Sequence, residues 1–230
     1  EDRVHGGHQR VGRAEVGVQH MVPSGGVGAR TQIALGGGVS TASGLRSKGI
    51  GLLGKTDGFL GNPKVRIPLP GFLNDAAKIL KATGQQKRVD ELITSMNRAA
   101  EAAVPEAKTL LVQAAKSITA KDALGIVRGG DTSVTDYFST RTRDPLGVKF
   151  LPIVTKQTEK VALADKYNAV AGKGVGMGLV KKEDANVQQY VTGKALDGLY
   201  LMIGEEEKKI RQDPVGTGSA ILKKVFGGLR

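Results

Sequence analysis

The segment Gly49–Thr56 carries the sharpest match to a known chemical motif in this sequence. It reads Gly-Ile-Gly-Leu-Leu-Gly-Lys-Thr and satisfies G-x-x-x-x-G-K-[ST], the loop whose backbone N–H groups hold phosphates while its lysine reaches the β- and γ-phosphates. The motif works only between a buried strand and a helix. No strand pattern precedes Gly49, and Asp57-Gly58 begins a turn. Nucleotide binding is therefore kept only as a third hypothesis. Its candidate residues are Gly49, Gly54, Lys55 and Thr56.

Polar side chains at helical spacing form a second set of candidates. Arg98 precedes Glu101 by three residues and Lys194 precedes Asp197 by three, so each pair lies on one face of a helix. Exposed ion pairs are the simplest interpretation, but side chains that point into a shared cleft could bind a polar ligand. The candidate ligand-binding residues are Asn97, Arg98, Glu101, Asp131, Asp136, Lys194 and Asp197. An enzyme of unknown class, with no identified catalytic residue, is the second hypothesis and would use the charged members of this set.

The residue types give little support for a metal site or a cofactor site. The chain has no cysteine, which excludes disulfides and thiolate ligands. All three histidines, His5, His8 and His20, lie in the first twenty residues at a spacing that matches no common ligand pattern. The sequence therefore predicts no metal site and no cofactor.

The charge balance points to an anionic partner. There are 34 Lys and Arg against 22 Asp and Glu, a formal net charge of +12, and such an excess favours binding to acidic lipid, polyanionic glycan or nucleic acid. Nucleic acid is disfavoured because the basic residues have no interleaved aromatics on which bases could stack. The charges are mostly mixed with acids, as in the run at 205–209, Glu-Glu-Glu-Lys-Lys, which is typical of a solvated helix face. The oligomeric state is left open.

Composition divides the chain into two unlike segments. Sixteen of the 33 glycines lie between Gly6 and Gly61, and no Phe or Tyr precedes Phe59. Residues 1–43 cannot bury enough apolar surface to offset chain entropy, so they are predicted to be disordered. No apolar signal-peptide region occurs near the start and no apolar run is long enough to span a membrane. Residues 44–230 are predicted to form one domain.

Hydrophobic periodicity predicts that this domain is helical. A first helix from Phe72 to Leu80 ends at Gly84, a second covers 89–103, and a third follows Pro105. Thr119 and Asp122 form a capping box that begins a short helix, ended by the glycines at 129 and 130.

The second half of the domain continues the same pattern. Asp131 is predicted to cap a further helix, Asp144-Pro145 to start another, and Pro152 to kink or break it. The remaining predicted helices are 161–171, stopping in the glycines 172–178, then 184–211, and a last one from Ser219 to Phe226. Because no alternating strand pattern occurs, the predicted fold is an all-α multi-helix bundle behind a glycine-rich N-terminal segment.

Five sequence blocks occur in order along residues 44–230: Asp57–Pro70, Ser95–Glu101, Gly129–Thr132, Thr135–Phe138 and Lys194–Leu199. Together they resemble the signature of an uncharacterised bacterial family, the domain-of-unknown-function family DUF4197. Five ordered blocks are far more specific than any single motif above. The resemblance implies no activity, cofactor or catalytic residue. It implies export to the periplasm or envelope of Gram-negative bacteria, since similar proteins begin with a signal sequence. Residues 1–43 depart from that pattern, and we therefore expect an altered, truncated or misassigned start.

These observations together give the leading hypothesis. The chain is expected to be a non-enzymatic binding or structural protein of the bacterial envelope, with an anionic partner such as lipid head groups or cell-wall glycan.

Overall fold

The computed structural model describes residues 49–184 and 186–213, and the regular secondary structure of this part of the chain is helical, without a strand. Residues 49–53 form a short helical stretch, and three 3₁₀ turns occupy Gly71–Leu73, Val104–Glu106 and Lys182–Asp184. The α-helices are α1 Asn74–Ala82, α2 Gln86–Ala103, α3 Ala107–Lys116, α4 Ala120–Arg128, α5 Ser133–Thr158, α6 Ala162–Gly176 and α7 Val187–Gln212. The all-α prediction is confirmed.

The core forms where the two longest helices, α5 and α7, pack on each other and on α2. Each long helix has 26 residues and therefore extends about 39 Å. The largest fully buried side chains include Phe59, Leu92, Met96, Leu146, Phe150, Leu199 and Ile203. Burial of each such side chain contributes about 1.5–3 kcal/mol, so these three helices supply most of the framework on which polar groups are placed.

Helix α5 corrects three sequence predictions. It continues through both Pro145 and Pro152, so Asp144-Pro145 is not a start and Pro152 does not break the helix. A proline inside a helix costs about 3 kcal/mol because it removes a hydrogen bond and crowds the preceding turn. Burial of Leu146, Phe150 and Val154 on the same helix offsets that cost.

The predicted cap of α5 is also wrong. The N-cap residue is Thr132 rather than Asp131, and its side chain makes no capping hydrogen bond. A carboxylate from α7 occupies that role, as described below.

Helix α6 runs further than its glycines predicted. It passes through Gly172 and ends at Gly176, and the left-handed residue that follows is Gly178 with φ 72°. Val180 packs so closely on Gly174 that a Cβ built there would lie 2.5 Å from the Val180 Cγ2 atom. Because Gly174 has no side chain, Val180 can pack directly against α6. The helix continues through its internal glycines.

Other helix boundaries agree with the sequence. Thr119 and Asp122 form the predicted capping box, and Gly84 ends the first helix with φ 77°. Helix α7 begins three residues later than predicted, with Asn186 as its N-cap accepting from the Gln189 N–H. The predicted helix 219–226, the segment 1–43 and the three histidines lie outside the described residues. Among the described helices none is long and apolar enough to cross a membrane.

Candidate functional site

The segment 57–70, named here the proline segment, forms successive turns over 57–65 and has no regular structure over 66–70, and buried contacts hold it. Asp57 adopts a left-handed conformation with φ 65°. A Cβ on Gly58 would lie 2.3 Å from the Leu53 carbonyl oxygen, so only glycine fits. Phe59 and Ile67 are almost completely buried. The turn therefore places the Phe59 side chain in the core. The backbone N–H groups of the turn need hydrogen-bond partners there.

Two polar side chains of α2 supply those partners. The Glu101 carboxylate accepts from the N–H groups of Phe59 and Leu60, at 3.0 and 3.1 Å. The Asn97 amide accepts from the Ile67 N–H at 2.8 Å and donates to the Ile67 carbonyl at 2.9 Å. Asn97 is fully buried and Glu101 is 5% exposed. We name Asn97 and Glu101 the first clamp; both are predicted candidates, and their polar atoms bind the protein's own backbone.

Arg98 completes the first clamp at the surface. Its guanidinium donates to Glu101 at 2.7 Å and to Asp57 at 2.8 Å. These contacts, first the Glu101 hydrogen bond, raise the pKa of Arg98. The side chain remains 36% exposed, so it bridges the buried carboxylate and the solvent-facing turn.

A second clamp joins α7 to the start of α5. The Glu207 carboxylate accepts from the N–H groups of Val134 and Thr135 at 2.9 and 2.8 Å, and from the Thr135 hydroxyl at 2.8 Å. The first N–H groups of a helix have no partner within the helix, and a negative charge there also interacts favourably with the helix dipole. Glu207 therefore caps α5 from another helix, which explains why Asp131 is not needed as a cap.

Arg211 closes the second clamp. It lies one turn after Glu207 and donates to that carboxylate at 2.8 Å, and it also donates to the Ile126 carbonyl at 2.9 Å. Glu207 is completely buried and the Arg211 side chain is 11% exposed. The ion pair therefore links α4, α5 and α7 in a dry environment.

A concave surface lies along α7 and has two parts. A depression of about 730 Å³ lies between α7, α5 and the turn 182–184, and one of about 380 Å³ lies between α7 and the proline segment. Tyr190, Lys194 and Asp197 line both parts. We name the two parts together the α7 groove, and it contains two of the predicted candidates, Lys194 and Asp197.

The charged groups of the α7 groove are exposed and paired only in part. Asp197 accepts from Arg143 at 2.6 Å and lies 3.7 Å from the Lys194 ammonium, and all three side chains are 44–50% exposed. Six cations line the groove: Lys64, Arg66, Arg143, Lys181, Lys182 and Lys194. Three carboxylates line it: Asp144, Asp184 and Asp197. The surface is therefore cationic on balance.

Tyr190 forms the wall between the two parts of the groove. Its hydroxyl donates to the Pro68 carbonyl at 3.0 Å and so ties the proline segment to α7. Burial, with a smaller contribution from Asp184, raises the pKa of Tyr190 to about 12. The phenol is therefore protonated at neutral pH and acts as a donor, which does not suit a catalytic base.

The remaining predicted candidates lie elsewhere. Asp131 is exposed before α5, and Asp136 is exposed on its first turn, where it accepts from Thr132 at 3.3 Å. The seven candidates thus fall into three groups, each with its own partners: the first clamp with Arg98, the α7 groove, and the start of α5. The candidate residues therefore do not meet in one site, as the enzyme hypothesis would require.

The phosphate-loop match falls on a helical stretch. Residues 49–53 are helical, and the Gly54 N–H donates to the Ile50 carbonyl at 2.8 Å. A Cβ on Gly54 would lie 3.0 Å from the Pro105 ring, so this glycine permits close packing. Lys55 and Thr56 follow in the turn that leads to Asp57. Among residues 49–184 and 186–213, no cluster of three or more His, Asp or Glu side chains could hold a metal ion.

Sequence reasoning missed Glu207, Arg211 and Arg143. The run at 205–209 was expected to be a solvated face, and that expectation is wrong for Glu207, which is completely buried. A signal was present, because Glu207 lies four residues after Ile203 and three before Ile210, and this spacing places it on the same helix face as the two isoleucines. Arg143 had no comparable signal, since its partner Asp197 is 54 residues away.

A family model described as "Protein of unknown function (DUF4197)" matches residues 42–227. No curated protein and no solved structure matches the chain.

Proposed function

The chain belongs to the DUF4197 family of proteins of unknown function, and from this premise we propose that it is a non-enzymatic binding module of the bacterial envelope that holds an anionic ligand in the α7 groove. The envelope location rests on the family resemblance. The ligand class rests on the groove itself.

The main support for this proposal is the excess of six cations over three carboxylates among the residues that line the α7 groove. Two of these cations, Arg66 and Lys182, have no carboxylate within 4 Å in the described part of the chain. They lie in different parts of the groove, Arg66 on the proline segment and Lys182 on the turn before α7. Available cations on both sides of one concave surface favour a ligand with more than one negative group.

The open shape supports an extended ligand. Gly147 and Gly193 line the wider part, and a Cβ on Gly193 would meet nothing within 4 Å. Val148 and Leu151 add exposed apolar surface beside the charges, 76% and 38% exposed. A phospholipid head group and a carboxylate-bearing cell-wall glycan share the chemistry that this surface would bind.

The experiment compares these two sources on the full chain. Binding is measured to vesicles of phosphatidylglycerol in phosphatidylcholine, and to soluble carboxylate-bearing muropeptides, at 50 and 300 mM salt. We expect binding to one source that weakens steeply with salt, because exposed charges are screened. Vesicles of phosphatidylcholine alone and a neutral glycan should not bind.

A charge-matched pair of variants locates the site. Arg66→Gln with Lys182→Gln removes two cations from the groove, and Lys108→Gln with Lys116→Gln removes two exposed cations from α3. We expect the groove variant to bind at least tenfold more weakly and the α3 variant to bind like the natural chain. Equal losses would mean that net charge acts without a site, and no loss in either variant would reject the groove.

A further inference from the structure

A second cleft lies between α1, α2 and α6, away from the charged groups of the α7 groove. Its volume is about 320 Å³, at the lower end of the range for ligand sites. Apolar side chains make up most of its wall; among them are Leu73, Ile79, Leu80, Leu92, Tyr167 and Val170. Ile79 and Val170 are 65% and 50% exposed, so the wall carries apolar surface open to solvent.

The charged residues of this cleft are both cations. Arg88 lies on α2 and Lys166 on α6, and neither has a carboxylate within 4 Å among the described residues. Arg88 donates only to the neutral Gln85 amide oxygen, at 3.1 Å. Both cations also line a neighbouring depression of about 200 Å³, which includes Glu91. An apolar cleft bordered by two cations from different helices is complementary to a molecule with an apolar body and an anionic end.

Tyr167 lines the same cleft and carries a hydroxyl that has no hydrogen-bond partner among the described residues. Its side chain is 2% exposed, and its hydroxyl is buried without a partner in the described part of the chain. Burial is the largest cause that raises the pKa of Tyr167, so the phenol keeps its proton. Buried polar groups in folded proteins nearly always have a partner, so this unpaired hydroxyl is an unusual feature of a residue that lines the cleft.

We propose that this cleft binds a single-chain anionic amphiphile, namely a fatty acid or a lysophospholipid. The alkyl chain lies against Leu80, Leu92 and Val170, and the carboxylate or phosphate lies between Arg88 and Lys166. The small volume favours one chain over a two-chain lipid. This site shares no charged residue with the α7 groove, so the inference does not depend on the proposed function.

The test is calorimetric binding of the full chain to decanoate, laurate and lysophosphatidylglycerol, each below its micellar concentration, with dodecyl maltoside as the neutral amphiphile. We expect laurate to bind more tightly than decanoate by roughly fourfold per added methylene, the factor that burial of a CH₂ group gives. Stronger binding of laurate indicates a carboxylate ligand, and stronger binding of lysophosphatidylglycerol indicates a phosphate ligand.

Two sets of variants test separately the part of the cleft that binds the alkyl chain and the part that binds the anionic head group. Ala77→Phe fills the cleft and should abolish binding, whereas Ala82→Phe, on the same helix but outside the cleft, should not. Arg88→Gln with Lys166→Gln should weaken anionic binding at least tenfold and leave the neutral amphiphile unchanged. Circular dichroism checks that each variant keeps its helices.

Three results would overturn the inference: no binding of any amphiphile, equal affinity for the neutral and anionic amphiphiles, or binding that survives Ala77→Phe. Loss of laurate binding in the Arg66 and Lys182 variant would also overturn it, because the ligand would then lie in the α7 groove.

Discussion

The two clamps and the α7 groove use the same residue types in opposite environments. In the clamps, Glu101 and Glu207 are at most 5% exposed and each accepts from two backbone N–H groups. In the groove, Asp197 is 50% exposed and has only side-chain cations as partners. Removal of a carboxylate that is buried among backbone donors destabilises the fold, because the donors are left buried without a partner. A carboxylate in the open groove can exchange its partners for water or a ligand at little cost.

The candidate residues predicted from the sequence therefore divide into two groups. We expect one group to affect stability and the other to affect ligand binding. Asn97, Arg98 and Glu101 of the Ser95–Glu101 block hold the proline segment in place, and Lys194 and Asp197 of the Lys194–Leu199 block face the groove. Substitutions in the first region should change the free energy of unfolding, and substitutions in the second should change ligand affinity.

The largest effect is expected for Glu207→Gln. The substitution leaves Arg211 without its buried carboxylate and weakens the cap of α5, and the loss of one partner of a buried pair costs about 3–5 kcal/mol. Urea unfolding followed by circular dichroism measures the change. Glu205→Gln is the control, since Glu205 pairs with Lys64 at the surface and should cost under about 1 kcal/mol. Equal losses in the two variants would contradict the contrast between buried and exposed carboxylates.

Glu101→Gln should cost less, about 2 kcal/mol, the range for a hydrogen bond to a charged group. The reason is that Arg98 is 36% exposed and can be solvated when its buried partner loses its charge. Asp57→Asn removes the solvent-exposed partner of Arg98 and keeps a residue type that tolerates positive φ. We expect it to cost under about 1 kcal/mol in the same urea titration. A larger loss for Asp57→Asn than for Glu101→Gln would show that the turn, not the clamp, holds the segment.

Two glycines of α7 test the same contrast between the buried region and the open groove. Here the substitution adds a side chain instead of removing a charge. A Cβ on Gly198 would lie 2.8 Å from the buried Phe59 ring, so Gly198→Ala should destabilise by about 1–3 kcal/mol. A Cβ on Gly193, in the groove, meets nothing, so Gly193→Ala should stabilise by about 0.5–1 kcal/mol through helix propensity. Thermal unfolding of both variants gives the sign directly. Stabilisation by both variants would mean that Phe59 moves aside, and destabilisation by both would mean that Gly193 is not in an open position.

A third carboxylate, Asp122, binds backbone N–H at the surface and adds a pH test. The Thr119 N–H and hydroxyl lower the pKa of Asp122 below its ordinary value of 3.8. A lowered folded-state pKa gives stability that is present above 3.8 and lost as the pH falls through the folded value. Asp122→Asn should therefore lower Tm slightly at pH 7, and the difference from the natural chain should shrink below pH 3.8. A difference that is constant with pH would show that the charge contributes nothing.

The smallest effect on stability is expected in the groove. Asp197→Asn removes the partner of Arg143 and Lys194, which are both exposed, and should change the free energy of unfolding by under about 0.5 kcal/mol. It should strengthen binding of an anionic ligand, because two cations lose a competing carboxylate. Chemical denaturation and the vesicle or muropeptide titration measure the two quantities. A large loss of stability would place Asp197 with the clamps.

Part of the candidate site could be read from the sequence, and part could not. The spacing of Arg98 and Glu101 predicted that both lie on one face of a helix, but the spacing does not show that the proline segment covers that face. Glu207 lay on the inward face that Ile203 and Ile210 define, yet its charge suggested exposure. Arg66 and Lys182 had no signal at all, because the groove that unites them is made by elements more than a hundred residues apart in the chain.

The sequence by itself determined the local structure. Its 3.6-residue apolar period, the capping box at Thr119 and the glycine at 84 were enough for the all-α fold and for several helix ends, because such features act within a few residues of each other. Tertiary structure decided the rest. It carried α5 through Pro145 and Pro152, replaced Asp131 by Glu207 as the cap, and divided the polar candidates between clamps and groove. Burial and long-range backbone partners set these outcomes, and both depend on which helices meet.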